Sequence, residues 1–190
     1  MMHSFHSLAV LVLGYFAFMA NCAPWMEAKR SDRVCHVEEQ LLRGMRHKVH
    51  ALSKEAQKID EDTDTRLIGK DLFQGLEVHD GCYVLKEVID FYLGNVLASD
   101  ELHHRYSRLQ EVKEFLAILT RRHMSDCGVE QKRQADDNID VLKQKLNELR
   151  ETREAKVIGE LFMLFQELGK HCSAPIVKKP DHKSKQQADE

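Results

Sequence analysis

Val157-Ile158-Gly159-Glu160-Leu161-Phe162-Met163-Leu164-Phe165 is the stretch on which the fold turns. Its apolar residues cover almost the whole circumference of a helix running from about Arg153 to Cys172. A helix that is apolar on all sides belongs in the centre of a bundle rather than on its surface. Gly159 sits inside it, where glycine costs ~1 kcal/mol relative to alanine. The expected compensation is close approach by a neighbouring helix or a partner.

The surrounding sequence supplies partners for such a helix. The prolines are Pro24, Pro175 and Pro180, so residues 25–174 carry none and helices there are uninterrupted. Apolar residues recur at helical spacing in five further segments. The first has Leu41, Met45, Val49, Leu52, Ala56 and Ile59, and a short one has Leu67, Ile68, Leu72 and Phe73. The third has Leu85, Val88, Ile89, Tyr92, Leu93 and Val96. The fourth has Tyr106, Leu109, Val112, Leu116 and Leu119, and the fifth Ile139, Leu142, Leu146 and Leu149. No alternating run is long enough for a sheet, so the chain reads as all-α. Short polar links at Ala98–Glu101 and Glu151-Thr152 predict tight antiparallel turns.

The ends set the compartment. Residues 1–26 contain no Lys, Arg, Asp or Glu, and Leu8–Ala20 is an almost unbroken apolar run. The run is shorter than the ~20 residues that span a bilayer and reads as a signal-peptide core. Ala20-Asn21-Cys22-Ala23 places the cut after Cys22 or Ala23, so residues 1–23 are expected to be removed. Residues 24–172 then form one helical domain, and 173–190 a disordered polar tail. Cys35, Cys82, Cys127 and Cys172 remain, widely spaced and without a CxxC pair. In an exported chain they read as two disulfides with three possible connectivities. If the helices alternate in direction, all four cysteines meet at one pole, and geometry alone leaves the pairing open.

Nothing in the sequence assembles a catalytic site, so no enzyme and no cofactor are expected. The net charge of -3 is spread over mixed signs and offers no footprint for nucleic acid or membrane. His47 and His50, and the His103-His104 pair, lack the acid and spacing of an HExxH metal motif. Asp60-Glu61-Asp62-Thr63-Asp64 resembles the start of a calcium loop, but Thr65 stands where its glycine belongs and Asp71 where its bidentate glutamate belongs. The acids fit better as a cluster at a helix N-terminus. Gly69-Lys70 lacks the upstream glycine of a phosphate loop, and no GxSxG occurs.

Several motifs carry a family resemblance. Thr63-Asp64-Thr65-Arg66-Leu67-Ile68-Gly69-Lys70-Asp71-Leu72-Phe73-Gln74-Gly75, Cys82–Val88, Glu111–Leu116 and Ala155–Leu161 resemble corresponding segments of the class II cytokines of the interleukin-10 family. Arg66-Leu67-Ile68-Gly69 and the cysteine positions favour the interleukin-22 branch. The resemblance implies a compact six-helix bundle with bridges Cys35–Cys127 and Cys82–Cys172. It implies a secreted, extracellular, monomeric cytokine recognised by the interleukin-22 receptor alpha chain and the interleukin-10 receptor beta chain. A soluble interleukin-22 binding protein would compete for the same surface. JAK–STAT signalling in epithelial and other non-haematopoietic cells would follow, serving barrier defence, tissue repair and inflammation. The alternatives are another interleukin-10 family cytokine, or a secreted helical decoy or carrier.

By the same resemblance the alpha-chain surface comprises Thr63, Asp64, Arg66, Lys156 and Glu160. Intramolecular roles compete with it: capping for Thr63 and Asp64, and a bridge to the acidic run for Arg66. Lys156 and Glu160 are i, i+4 with the base first, the weaker orientation, worth at most ~0.5 kcal/mol to an isolated helix. Helix stability therefore explains them poorly. Phe162 departs from the family, which commonly has an acid there, and no N-x-Ser/Thr sequon occurs.

Overall fold

In the computed structural model, the described residues are 35–78, 80–125, 127–129 and 132–173. The expected signal peptide and all of the tail beyond Ser173 lie outside them. Among the described residues six α-helices follow in order: α1 (Glu39–Gln57), α2 (Asp80–Asn95), α3 (Glu101–Arg105), α4 (Leu109–His123), α5 (Lys132–Glu148) and α6 (Arg153–His171). No strand occurs among the described residues.

The count agrees with the sequence reading, but one helix has moved. The segment around Leu67–Phe73 forms only a four-residue 3-10 turn, Lys70–Phe73. Gly75, at φ 74°, ends it in the left-handed region that glycine tolerates. From α5, the Asn138 side-chain amide donates to the carbonyls of Leu72 (3.2 Å) and Gln74 (3.0 Å), holding the turn against the bundle. The sixth helix is instead α3, in the link expected to be a tight turn. Leu102 and Tyr106, four residues apart and both buried, pin that link to the core. Ile59, counted with the apolar face of the first helix, lies beyond α1 and is exposed.

The central helix is where the sequence placed it. Eleven of the 19 residues of α6 are buried, from Ala155 to His171. Its most extensive partner is α1, which runs antiparallel to it, and α2 packs alongside. The Ser53 hydroxyl donates to the Ile158 carbonyl (3.0 Å) and accepts from the Phe162 amide (3.0 Å). One turn on, the Gln57 side-chain amide donates to the Gly159 carbonyl at 3.0 Å. A Cβ on Gly159 would lie 3.3 Å from Gln57 Cγ, so the missing side chain admits the neighbouring helix.

At the opposite end of this pair, the Val37 amide donates to the Cys172 carbonyl at 2.8 Å. Here the bridges Cys35–Cys127 and Cys82–Cys172 close, with Cα separations of 4.8 and 5.0 Å. The sulfurs of Cys35, Cys82 and Cys127 lie within 4.8 Å of one another, which puts all four cysteines at one pole.

His171 fills the space beside that pole. Its Nδ1 is 2.8 Å from the Val78 carbonyl oxygen, and its ring stacks on Phe73 with centroids 4.4 Å apart. A Cβ on Gly81 would meet His171 Nδ1 at 2.2 Å, closer than any real contact. Gly81→Ala is therefore expected to destabilise the fold by about 2 kcal/mol, despite alanine's better helix propensity. A urea unfolding midpoint equal to or above that of the parent would contradict this packing.

Candidate functional site

The loop between α1 and the 3-10 turn, residues 58–69, is built on its own side chains and then fastened to α6. Asp60 Oδ1 accepts the Asp62 amide at 3.2 Å. Asp62 Oδ1 accepts the amides of Asp64 (3.0 Å) and Thr65 (2.7 Å), while Thr65 Oγ1 donates to Asp62 Oδ2 at 2.8 Å. Such short-range bonds from an aspartate fold the backbone without a helix. The acidic run thus shapes a turn and does not cap a helix, because the 3-10 turn begins only at Lys70 and its N-cap is Gly69.

Two charged residues of α6 hold that turn from beneath. Lys156 Nζ pairs with Asp60 Oδ2 at 3.2 Å, lies 4.0 Å from Asp62 Oδ1, and donates to the Asp62 carbonyl. The Glu160 carboxylate accepts the amides of Leu67 (3.1 Å) and Ile68 (2.7 Å). Lys156 and Glu160 are only 5 % and 6 % exposed, so they offer little surface of their own. Their i, i+4 spacing serves two separate anchorages on the loop.

Thr63, Asp64 and Arg66 are exposed at the crest of the same loop. Thr63 Oγ1 is 3.4 Å from Asp64 Oδ1. Arg66 lies along α6 with Nη2 at 3.1 Å from Met163 Sδ, and no ion pair among the described residues joins it to the acidic run. All five residues named from the sequence are therefore in one place, three on top and two underneath. The reading from sequence missed Asp60 and Asp62 as partners of Lys156, and took Met163 only as part of the apolar circumference of the helix. One signal was available: a lysine and a glutamate inside an otherwise apolar helix have to be satisfied within the chain.

Burial pushes the Glu160 carboxyl above its ordinary value of 4.5; the Ile68 and Leu67 amides, Lys156 and Arg66 pull it down without cancelling the effect. Asp62 is held below its ordinary value, chiefly by the backbone amide and the hydroxyl of Thr65. The raised group binds its proton more tightly in the folded chain than in the unfolded one. Its contribution is therefore full below pH 4.5 and declines as pH rises through the folded value. Glu160→Gln keeps an acceptor for the two amides but cannot titrate. The stability advantage of the parent over this variant should be largest at acid pH and shrink towards neutrality. Urea titrations of both proteins from pH 4 to pH 7 test the sign, and an advantage that grows with pH would refute it. Asp62 titrates in both proteins, so the difference isolates Glu160.

An all-helical bundle braced at one pole, presenting an ordered loop beside its central helix, has the build of a helical cytokine. The family described as interleukin 22, an IL-10-related T-cell-derived-inducible factor, matches residues 37–172. The chain is 41 % identical to interleukin-22 of Homo sapiens over 128 residues, covering 64 % of this chain and 67 % of that protein. It is 37 % identical to interleukin-22b of Mus musculus over 122 residues, with the same coverage of 64 % and 67 %. The chain belongs to the interleukin-22 family. It is accordingly a cytokine of the interleukin-10 family and not an enzyme.

Proposed function

We propose that this chain is a secreted cytokine that engages a heterodimeric class II receptor made of the interleukin-22 receptor alpha chain and the interleukin-10 receptor beta chain. Binding starts JAK–STAT signalling in epithelial and other non-haematopoietic cells, and a soluble interleukin-22 binding protein competes for the alpha-chain surface. The apolar stretch Leu8–Ala20 and the two bridges support export. No helix of the described residues is long and apolar enough to cross a membrane.

One observation carries the receptor reading. The loop at 60–68 has its backbone clamped to α6 while Thr63, Asp64 and Arg66 remain exposed. A rigid loop presenting an arginine loses little entropy on binding, and arginine is enriched among interface residues that dominate affinity. In this reading Thr63, Asp64 and Arg66 touch the alpha chain, whereas Lys156 and Glu160 position them.

The test is to measure binding of the folded protein to both receptor ectodomains and STAT phosphorylation in epithelial cells bearing them. Absence of both would sink the reading; binding without phosphorylation would make the chain a decoy. Arg66→Ala should weaken alpha-chain affinity by about 1 kcal/mol or more, while leaving the unfolding midpoint unchanged. Unaltered affinity would remove Arg66 from the contact.

A further inference from the structure

We propose that Met163 is an oxidation-sensitive modification site whose sulfoxide form restrains Arg66 and weakens receptor engagement, an inference that rests on the receptor reading above. Three methionines fall among the described residues, and they differ in access. Met124 is fully buried and Met45 nearly so, whereas Met163 is only partly buried, on the face of α6 below the loop. Access to solvent selects which thioether an oxidant reaches.

The position of the sulfur gives the modification a consequence. Met163 Sδ lies 3.1 Å from Arg66 Nη2, so the thioether already serves as a weak acceptor for that guanidinium. Hydrogen peroxide is a sufficient oxidant. The sulfur lone pair attacks one peroxide oxygen, the O–O bond breaks, an S–O bond forms, and water leaves after proton transfer. Sulfur is oxidised by two electrons and the peroxide is reduced by two.

The product carries a polar oxygen where a soft sulfur stood. That oxygen is a much stronger acceptor for Arg66, and it ties the guanidinium down onto α6. An arginine held against its own helix is less available to a partner's carboxylate. The Arg66 stem already runs beside the backbone of Gly69, where an added Cβ would stand 3.4 Å from Arg66 Cδ.

The experiment exposes the folded protein to hydrogen peroxide, maps each methionine by peptide mass spectrometry, and measures alpha-chain affinity on the same samples. Met163 should gain oxygen at least tenfold faster than Met45 or Met124, and affinity should fall about fivefold in step with it. Met26, which lies outside the described residues, is resolved on its own peptide and removed in a Met26→Leu background. Methionine sulfoxide reductase should restore affinity, and the affinity of Met163→Leu, whatever its starting value, should not change on peroxide treatment.

Oxidation that favours Met45 or Met124 would overturn the proposal whatever the receptor reading. Complete conversion of Met163 with unchanged affinity would overturn it too, provided Arg66→Ala does weaken binding. If Arg66→Ala also has no effect, the proposal falls together with the reading beneath it.

Discussion

Lys156→Ala is expected to lower the unfolding free energy by about 3 kcal/mol and to release the loop at 60–68. The lysine is buried and Asp60 nearly so, with side chains 6 % and 9 % exposed. Removing one partner of a buried pair strands the other charge, which costs about 3–5 kcal/mol. The low end applies here, because the loop is free to peel away and return Asp60 to water. Detachment should show as faster hydrogen exchange at the Leu67 and Ile68 amides, which Glu160 now accepts. Receptor affinity should fall with it, unlike the effect of Arg66→Ala, which spares stability. Lys156→Ala combined with Asp60→Asn should cost less than the sum of the single changes. A loss below 1 kcal/mol in urea unfolding for Lys156→Ala would mean that the clamp contributes no structure.

Removing the Cys82–Cys172 bridge is the second large effect. The bridge joins the first turn of α2 to the end of α6 across a sequence separation of 90 residues, and both cysteines are fully buried. Loop closure on that scale is worth about 4.6 kcal/mol in the chain-entropy model. The overlapping Cys35–Cys127 loop already restrains much of the same chain, so a loss of about 3 kcal/mol is expected for Cys82→Ala/Cys172→Ala. Breaking Cys35–Cys127 should cost less. Cys35 precedes α1 and Cys127 follows α4, outside the helices, so its loss frees flanking segments first. Comparison of the two double variants by urea unfolding decides the order. Equal losses would show that the pole responds as one unit.

Much of this architecture was legible because it is written in local pattern. The circumference of α6 announces a central helix, and the spacing of Leu41, Met45, Val49, Leu52 and Ala56 announces the face that packs on it, although the buried leucine is Leu42 rather than Leu41. Gly159 signalled a close approach, and α1 supplies it. The short elements were not legible. Leu67, Ile68, Leu72 and Phe73 match a helical period, yet Gly69 and Gly75 and the self-bonded acids leave room only for a 3-10 turn. Conversely, Ala98–Glu101 reads as a turn, and only burial of Leu102 and Tyr106 converts its continuation into α3.

The site was half legible. Its residues are identified through a family resemblance, but their division of labour is not. Lys156 and Glu160 meet partners more than 90 residues away, at Asp60, Asp62, Leu67 and Ile68, and periodicity carries no information at that range. The disulfide pairing stood in the same position. Placing four cysteines at one pole allows three pairings, and the resemblance rather than the spacing selected the one that the fold contains.

The anchorage of the loop has one more consequence. Glu160 grips backbone amides, and Lys156 grips a backbone carbonyl as well as Asp60. The bonded partners are backbone groups and Asp60, not the side chains at 63, 64 and 66. The chain therefore separates the shape of its presenting loop from the lettering on it. On the proposed receptor reading, substitutions at those three positions would alter what is displayed while the backbone clamp stays in place, leaving partner preference free to drift on a constant frame.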